Sequence, residues 1–199
     1  NIDEAYSMSS ILSIAEQYHT NDAKISGIFI DPYSMLVQEN NRDSFAYNNE
    51  VQNMVHRFKR KTGISPWISI HAVSEAARKK DKDGFPVAPG QNDALYGVQF
   101  AGRADEVVTI HRLTKHPVRW NESEIHVHKT KDTKTGGKPT PEGEPVILTM
   151  LPGGFKFVNA LNEDPFDSST YNRLQPNLKF DGNINERIES SRQNDEPLF

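Results

Sequence analysis

Cysteine is absent from the 199 residues. That excludes disulfides, thiolate zinc sites and a cysteine nucleophile, and it is compatible with a reducing, cytoplasmic setting. No apolar run approaches the length of a membrane span and no signal-peptide pattern is visible, so no membrane partner is expected. An excess of basic charge is also lacking: 23 Lys and Arg stand against 27 Asp and Glu, for a net charge of -4. Nucleic-acid binding therefore has to come from local patches rather than from the whole surface. Internal repeats are missing too. What remains is an ordinary globular composition, 35% hydrophobic and 25% charged, in a chain long enough for one domain with a true core. The first residue is Asn1 rather than Met, so the chain is expected to be a piece or a processed product of something longer.

Periodicity organises the chain. Met8, Ile11, Leu12 and Ala15 recur at helical spacing behind a candidate cap, Asp3, and a polar turn Thr20-Asn21-Asp22 follows. Residues 25–30 are apolar, branched and too short for a helix, and read as a fully buried strand. Tyr47, Val51, Met54, Val55 and Phe58 form the stripe of a second helix. Its last turn is crowded with Arg57, Lys59, Arg60 and Lys61, and Gly63 suits a left-handed stop. A short strand over 67–70 runs into His71, and the polar stretch 74–93 reads as a long, mobile, basic loop. A short helix over 94–101, a strand over 107–110 ending at His111 and Arg112, and a half-buried strand around Ile125 and Val127 come next. The turn Pro152-Gly153-Gly154 joins 146–151 and 155–158 as a hairpin, and beyond Asn159 the periodicity stops. Strands alternating with helices imply an α/β fold with a mostly parallel sheet, extended by antiparallel strands at its C-terminal end. Ligands of such sheets gather at the carboxyl ends of the strands, where Asp31, His71 and Arg112 fall on this reading.

Four stretches, in order, carry a resemblance. They are Gly27-Ile-Phe-Ile-Asp-Pro-Tyr-Ser-Met-Leu36, Trp67-Ile-Ser-Ile-His71, the segment from Leu95 through Ala104-Asp105 to Arg112, and Val127-His-Lys-Thr-Lys131. Together they resemble the hexameric replicative DNA helicases of the DnaB, Twinkle and phage primase-helicase group, whose motor is a RecA-like, P-loop NTPase fold. The resemblance covers residues 25–158. It implies a partial RecA-like ATPase core over 1–158 and a polar tail over 159–199. It further implies ATP and Mg²⁺ as ligands, ATP-driven unwinding in replication, single-stranded DNA as partner and assembly into a ring, hexameric in the family.

The same resemblance distributes roles that the chemistry of each side chain suits. Asp31 corresponds to the Walker B aspartate; Mg²⁺ keeps several waters and takes few protein carboxylates, so one strand-end carboxylate suffices. Pro32 departs from the family pattern, and the plain alternative for Asp31 is a turn-starting residue. His71 corresponds to the residue that senses the terminal phosphate, the alternative being a histidine bonded to backbone. Arg112 corresponds to the arginine that packs on the adenine base. Lys129 and Lys131 correspond to the lysine and arginine finger that reach a neighbouring subunit's nucleotide. Lys131 is a departure, because lysine lacks the planar fork of arginine, and Lys134 or Arg119 stay open as the true finger. Arg78, Lys79, Lys80 and Lys82, with Arg42 in the loop after Asp31, correspond to DNA-binding loops; the alternative is a solvated charge run. His126 and His128 share a strand face but no third metal ligand with suitable spacing is evident.

One required part is not in the sequence. No Gly-rich loop ending in Gly-Lys-Ser/Thr precedes the Asp31 strand, and Gly136-Gly137-Lys138-Pro139 lies downstream with proline where a hydroxyl is needed. The expectation is an α/β fold without its N-terminal phosphate-loop unit, inactive in isolation. The competing expectations are a non-catalytic, degenerate RecA-like module for assembly or DNA binding, and another RecA-like ATPase such as a plasmid helicase or a recombinase.

Overall fold

The computed structural model describes residues 6–21, 25–39, 43–134, 136–154 and 156–167. Its contacts divide the chain into two units, 1–147 and 148–199. Asp3, Asp22, Arg42 and the tail beyond 167 lie outside the described residues.

In the first unit the apolar stripes read from the sequence become the walls of one core. Helix α1 (Met8–Asn21) is capped by Ser7, whose hydroxyl accepts from the amide of Ser10, and it buries Met8, Leu12 and Ala15. Helix α2 (Ser44–Thr62) starts at Asp43, whose carboxylate accepts from Ala46 N at 3.0 Å. It stops at Gly63, which takes φ 74°, a left-handed geometry that glycine adopts without strain. Tyr47, Val51 and Phe58 of α2 pack with α1 against Ile30, Tyr33 and Ile64. Burying each such side chain contributes about 1.5–3 kcal/mol.

Strand β1 (Gly27–Ile30) pairs in parallel with β2 (Ser65–Ile68). The expectation of a fully buried strand at 25–30 is corrected. Ile28 and Ile30 face the core, but Phe29 is 69% exposed and its parallel partner Trp67 is 49% exposed. A two-stranded sheet has one face on the helices, so an uninterrupted apolar run need not mean burial on both sides. β2 also begins earlier than expected and includes Pro66, a residue confined to sheet edges because it donates nothing.

The stretch 74–93 is folded, not a mobile loop. Ala76–Arg78 forms a turn of 3-10 helix, and Val87 N–Lys79 O (3.0 Å) and Asp81 N–Phe85 O (2.8 Å) close a small hairpin with Gly84 at its tip. Helix α3 (Gly97–Arg103) leads into β3 (Glu106–Arg112), which pairs antiparallel with β4 (Glu122–Thr130). Two tie points orient β3. Lys59, just before β2, is ion-paired with Asp105, just before β3. Beyond the other ends, Pro86 O of the hairpin meets His111 Nε2 at 3.1 Å. β2 and β3 therefore run in the same direction. In the second unit β5 (Val146–Met150) and β6 (Phe157–Val158) pair antiparallel through Thr149↔Val158 and Met150↔Phe157, the hairpin that the Pro-Gly-Gly turn predicts. No helix among the described residues is long and apolar enough to cross a membrane.

Candidate functional site

Because β1 and β2 are parallel and in register, both chains leave the sheet at one edge. Ser69 pins that edge: its N–H donates to Ile30 O at 2.8 Å and its carbonyl accepts from Tyr33 N at 2.9 Å. The two bonds straddle Asp31-Pro32, a cis peptide, and leave the Asp31 residue exposed at the strand end. His71 lies two residues beyond Ser69, also exposed, with its carbonyl accepting from Leu95 N at 2.8 Å. Asp31 and His71 thus stand at the ends of neighbouring strands.

Sequence reasoning missed the residues that hold this edge. Tyr33 is buried and donates its hydroxyl to Asn48 Oδ1 on α2 at 2.7 Å. Burial, followed by the neighbouring Tyr47 and Tyr96 hydroxyls, pushes its ionisation far above the usual phenol range. Its ring meets Phe100 edge-on at 5.0 Å and Tyr96 at 6.4 Å, so the turn after Asp31 is fastened to both α2 and α3. The only signal was an aromatic residue inside an otherwise turn-like Asp-Pro-Tyr-Ser. Gly97, the glycine of the third resembling stretch, has a close-approach role: a Cβ there would meet Asn92 O at 2.9 Å.

Arg112 ends β3, exposed and opposite Ser123. Since β2 and β3 are co-directional, Arg112 leaves at the same edge as Asp31 and His71. Lys129 and Lys131 do not. They sit at the other end of β3, about 20 Å away at the strand rise of about 3.3 Å per residue. Lys129 Nζ donates to Ala101 O (2.8 Å) and Gly102 O (3.1 Å), where a cation complements the last turn of α3. Lys131 Nζ lies 3.4 Å from Asp105 Oδ1 and stays 68% exposed. Asp105 also holds Lys59; that hydrogen bond, partly offset by burial, and the charges of Lys59 and Lys131 keep its carboxyl below the usual range. The other finger candidates are placed differently. Arg119 is engaged by Glu122 (2.7 Å) and Glu124 (2.5 Å), whereas Lys134 is exposed.

The inner face of β4 carries a titratable network. Burial pushes Glu124 up, but hydrogen bonds from Arg119 and His126 and the charges of Arg119 and His111 outweigh it and hold the carboxyl low. His128 donates to or accepts from Thr109 Oγ1 at 2.9 Å and stacks on His126 at 6.0 Å. Burial, then the neighbouring His126, push its ionisation below the ordinary value of 6.5. The folded chain therefore binds fewer protons than the unfolded chain at both residues. Stability is complete above about pH 6.5 and falls as the pH drops through the folded value of His128, then again below the ordinary glutamate value of 4.5. A Tm-versus-pH series should show this two-stage decline, and His128→Phe should flatten its upper stage.

Among the basic residues of the 74–93 segment, Lys79 is ion-paired with Asp93 at 2.9 Å, which lowers the Asp93 carboxyl. Arg78, Lys80 and Lys82 are exposed on or beside the hairpin. Among the described residues no group of three His, Asp or Glu side chains could hold a metal directly. An exposed carboxylate at a strand end, without clustered ligands, suits Mg²⁺ held through its own waters rather than a cation caged by protein.

No family model matches the sequence, and no curated protein matches it. Solved structures do. The ATPase domain of a replicative helicase superposes with a TM-score of 0.62 at 19% identity, over 78% of this chain and 52% of that one. A DnaB-like replicative helicase, determined with its interactions with primase, gives a TM-score of 0.61 at 19% identity, over 78% of this chain and 35% of that one. The fold is that of these ATPase domains, and the chain spans about half the length of the first and a third of the second.

Proposed function

We propose that the chain is part of the RecA-like motor of a ring-forming, hexameric replicative DNA helicase, and that ATP and Mg²⁺ bind at the edge formed by Asp31, His71 and Arg112. The observation that carries this reading is the placement of Asp31 and His71 at the ends of adjacent parallel strands, bridged by Ser69. There a carboxylate orients the waters of Mg²⁺, while a neighbouring imidazole hydrogen-bonds the terminal phosphate and is continuous with the loop that follows. Lys129 and Lys131, at the opposite end of β3, suit action on a nucleotide held by the next subunit rather than their own. Arg78, Lys80 and Lys82 present charge to single-stranded DNA, with Lys79 set back by its pairing to Asp93 and Arg42 in the loop after Asp31.

On this reading the Gly-Lys-Ser/Thr phosphate loop comes from polypeptide outside these residues. The 199-residue chain alone is expected to release no phosphate from MgATP, whereas the protein extended through that loop should turn ATP over with Mg²⁺ dependence. Turnover by the 199 residues alone, or none by the extended protein, overturns the reading. A second reading, a non-catalytic RecA-like module for assembly or DNA binding, is favoured by one feature: Lys129 is engaged on the carbonyls of α3. An extended protein that binds single-stranded DNA and forms rings without hydrolysing ATP would select it.

A further inference from the structure

Between β2 and β3 lies a cleft of about 880 Å³, lined along its length by Ser65–His71 on one side and by Glu106–Ile110 on the other. Both walls are strand edges with backbone groups turned inward. Ser65 N donates to Ser26 O and Ser69 N to Ile30 O, so these residues face β1, and alternation turns Pro66 and Ile68 into the cleft. On the other wall, Val127 of β4 exchanges both its backbone bonds with Thr140 (3.1 and 3.0 Å). Its partner in register, Val108, is therefore not bonded to β4 and faces the cleft, as does Ile110. Among the described residues of this unit, β2 pairs only with β1 and β3 only with β4. Gln52 of α2 also lines the cleft. It is 5% exposed, and neither its amide oxygen nor its amide nitrogen has a hydrogen-bond partner.

We infer that this cleft is the seat of one further β-strand, parallel to β2 and β3, supplied by polypeptide outside these 199 residues. The size fits: at about 3.3 Å rise, 4.8 Å strand spacing and 10 Å sheet thickness, a strand residue fills about 160 Å³, so 880 Å³ holds about five or six. The chemistry fits as well, because the walls are apolar (Val55, Ile68, Phe100, Ala101, Val108, Ile110). The undescribed segments of the chain itself, 1–5, 22–24, 40–42 and 168–199, contain no run of more than two aliphatic or aromatic residues, which disqualifies them as that strand. The matched ATPase domain has about twice the length that this chain covers, so the same fold contains further elements to supply it. Parallel to its neighbours, the strand would end at the edge where Asp31 and His71 stand, and the loop after it would open over them. The source of the strand rests on the proposed function; the strand-binding cleft does not.

The test uses the full 199-residue chain carrying Trp120→Phe, which leaves Trp67, in the cleft wall, as the sole tryptophan. The probe is a synthetic peptide of six alternating valines and isoleucines flanked by lysines, with no nucleotide present. The expected result is a saturable blue shift of Trp67 emission together with new hydrogen-exchange protection at the amides of Ile68, Val108 and Ile110. The absence of a saturable shift, or protection falling elsewhere, overturns the inference. So does protection of these three amides before peptide is added with concentration-dependent dimerisation, which would make a second copy the occupant. Because ATP is never added, failure of the helicase reading leaves this result standing, and failure here leaves Asp31 and His71 untouched.

Discussion

Asp31→Asn, in the protein extended through its phosphate loop, is expected to lower Mg²⁺-dependent ATP turnover roughly a hundredfold or more. A magnesium ion bridging transferring phosphates is the largest local charge in such a site, and loss of one preorganised electrostatic partner costs about 10²–10³ in kcat. The substitution keeps the shape of the side chain and removes only the charge that orients the metal's waters. Asp31 is exposed at its strand end, so Tm should hardly move; a surface substitution of this kind changes stability by about 0.5 kcal/mol or less. Phosphate release measured beside a melting curve separates the two effects. Turnover within about threefold of the unsubstituted protein would remove Asp31 from the metal site, given that a transition-state contact is worth far more.

Tyr33→Ala should produce the largest loss of stability among residues of this edge. The ring is buried, packs edge-on against Phe100 and Tyr96, and fastens the turn after Asp31 to α2 through Asn48. Truncating a buried aromatic costs about 3–5 kcal/mol. Tyr33→Phe keeps the packing and strands Asn48 Oδ1, which is itself buried and whose Nδ2 already has no partner, at a cost of about 1–3 kcal/mol. Urea unfolding of the three proteins should rank them Tyr, Phe, Ala. If alanine proves as mild as phenylalanine, the ring is not the anchor and the Asp31 turn is held by Ser69 alone.

Much of the first unit was legible because its signals are local. The 3.6-residue stripe Tyr47-Val51-Phe58, the Asp43 cap and the Gly63 stop depend on neighbours three or four residues away, and they appear where the pattern puts them. The strand ending at Asp31 and the strand preceding His71 were legible for the same reason. The burial of residues 25–30 was not. A run of branched apolar residues fits a strand covered on both faces, but coverage depends on how many strands and layers surround it, and here Phe29 and Trp67 remain open. The segment 74–93 misled in the opposite direction. Its charges suggested a mobile loop, yet Lys79 finds Asp93 fourteen residues later in sequence and the backbone closes a hairpin around Gly84.

Asp31, His71 and Arg112 could be nominated from sequence because each ends an apolar run, and a strand's end is a one-dimensional property. Which of them share an edge was a matter of direction. The tie points Lys59–Asp105 and His111–Pro86 align β2 with β3, placing Arg112 beside the pair and Lys129 and Lys131 some 20 Å off at the rise of about 3.3 Å per residue. Equally, the absence of a phosphate loop is plain in the sequence, but that two strand edges and an unsatisfied Gln52 face one strand-wide cleft is a relation between residues 52, 68 and 108. Short-range periodicity and capping determined the helices and the strand ends by themselves. Pairing partners, strand direction and exposure were decided only by the tertiary structure, because they are set by contacts between segments far apart in the chain.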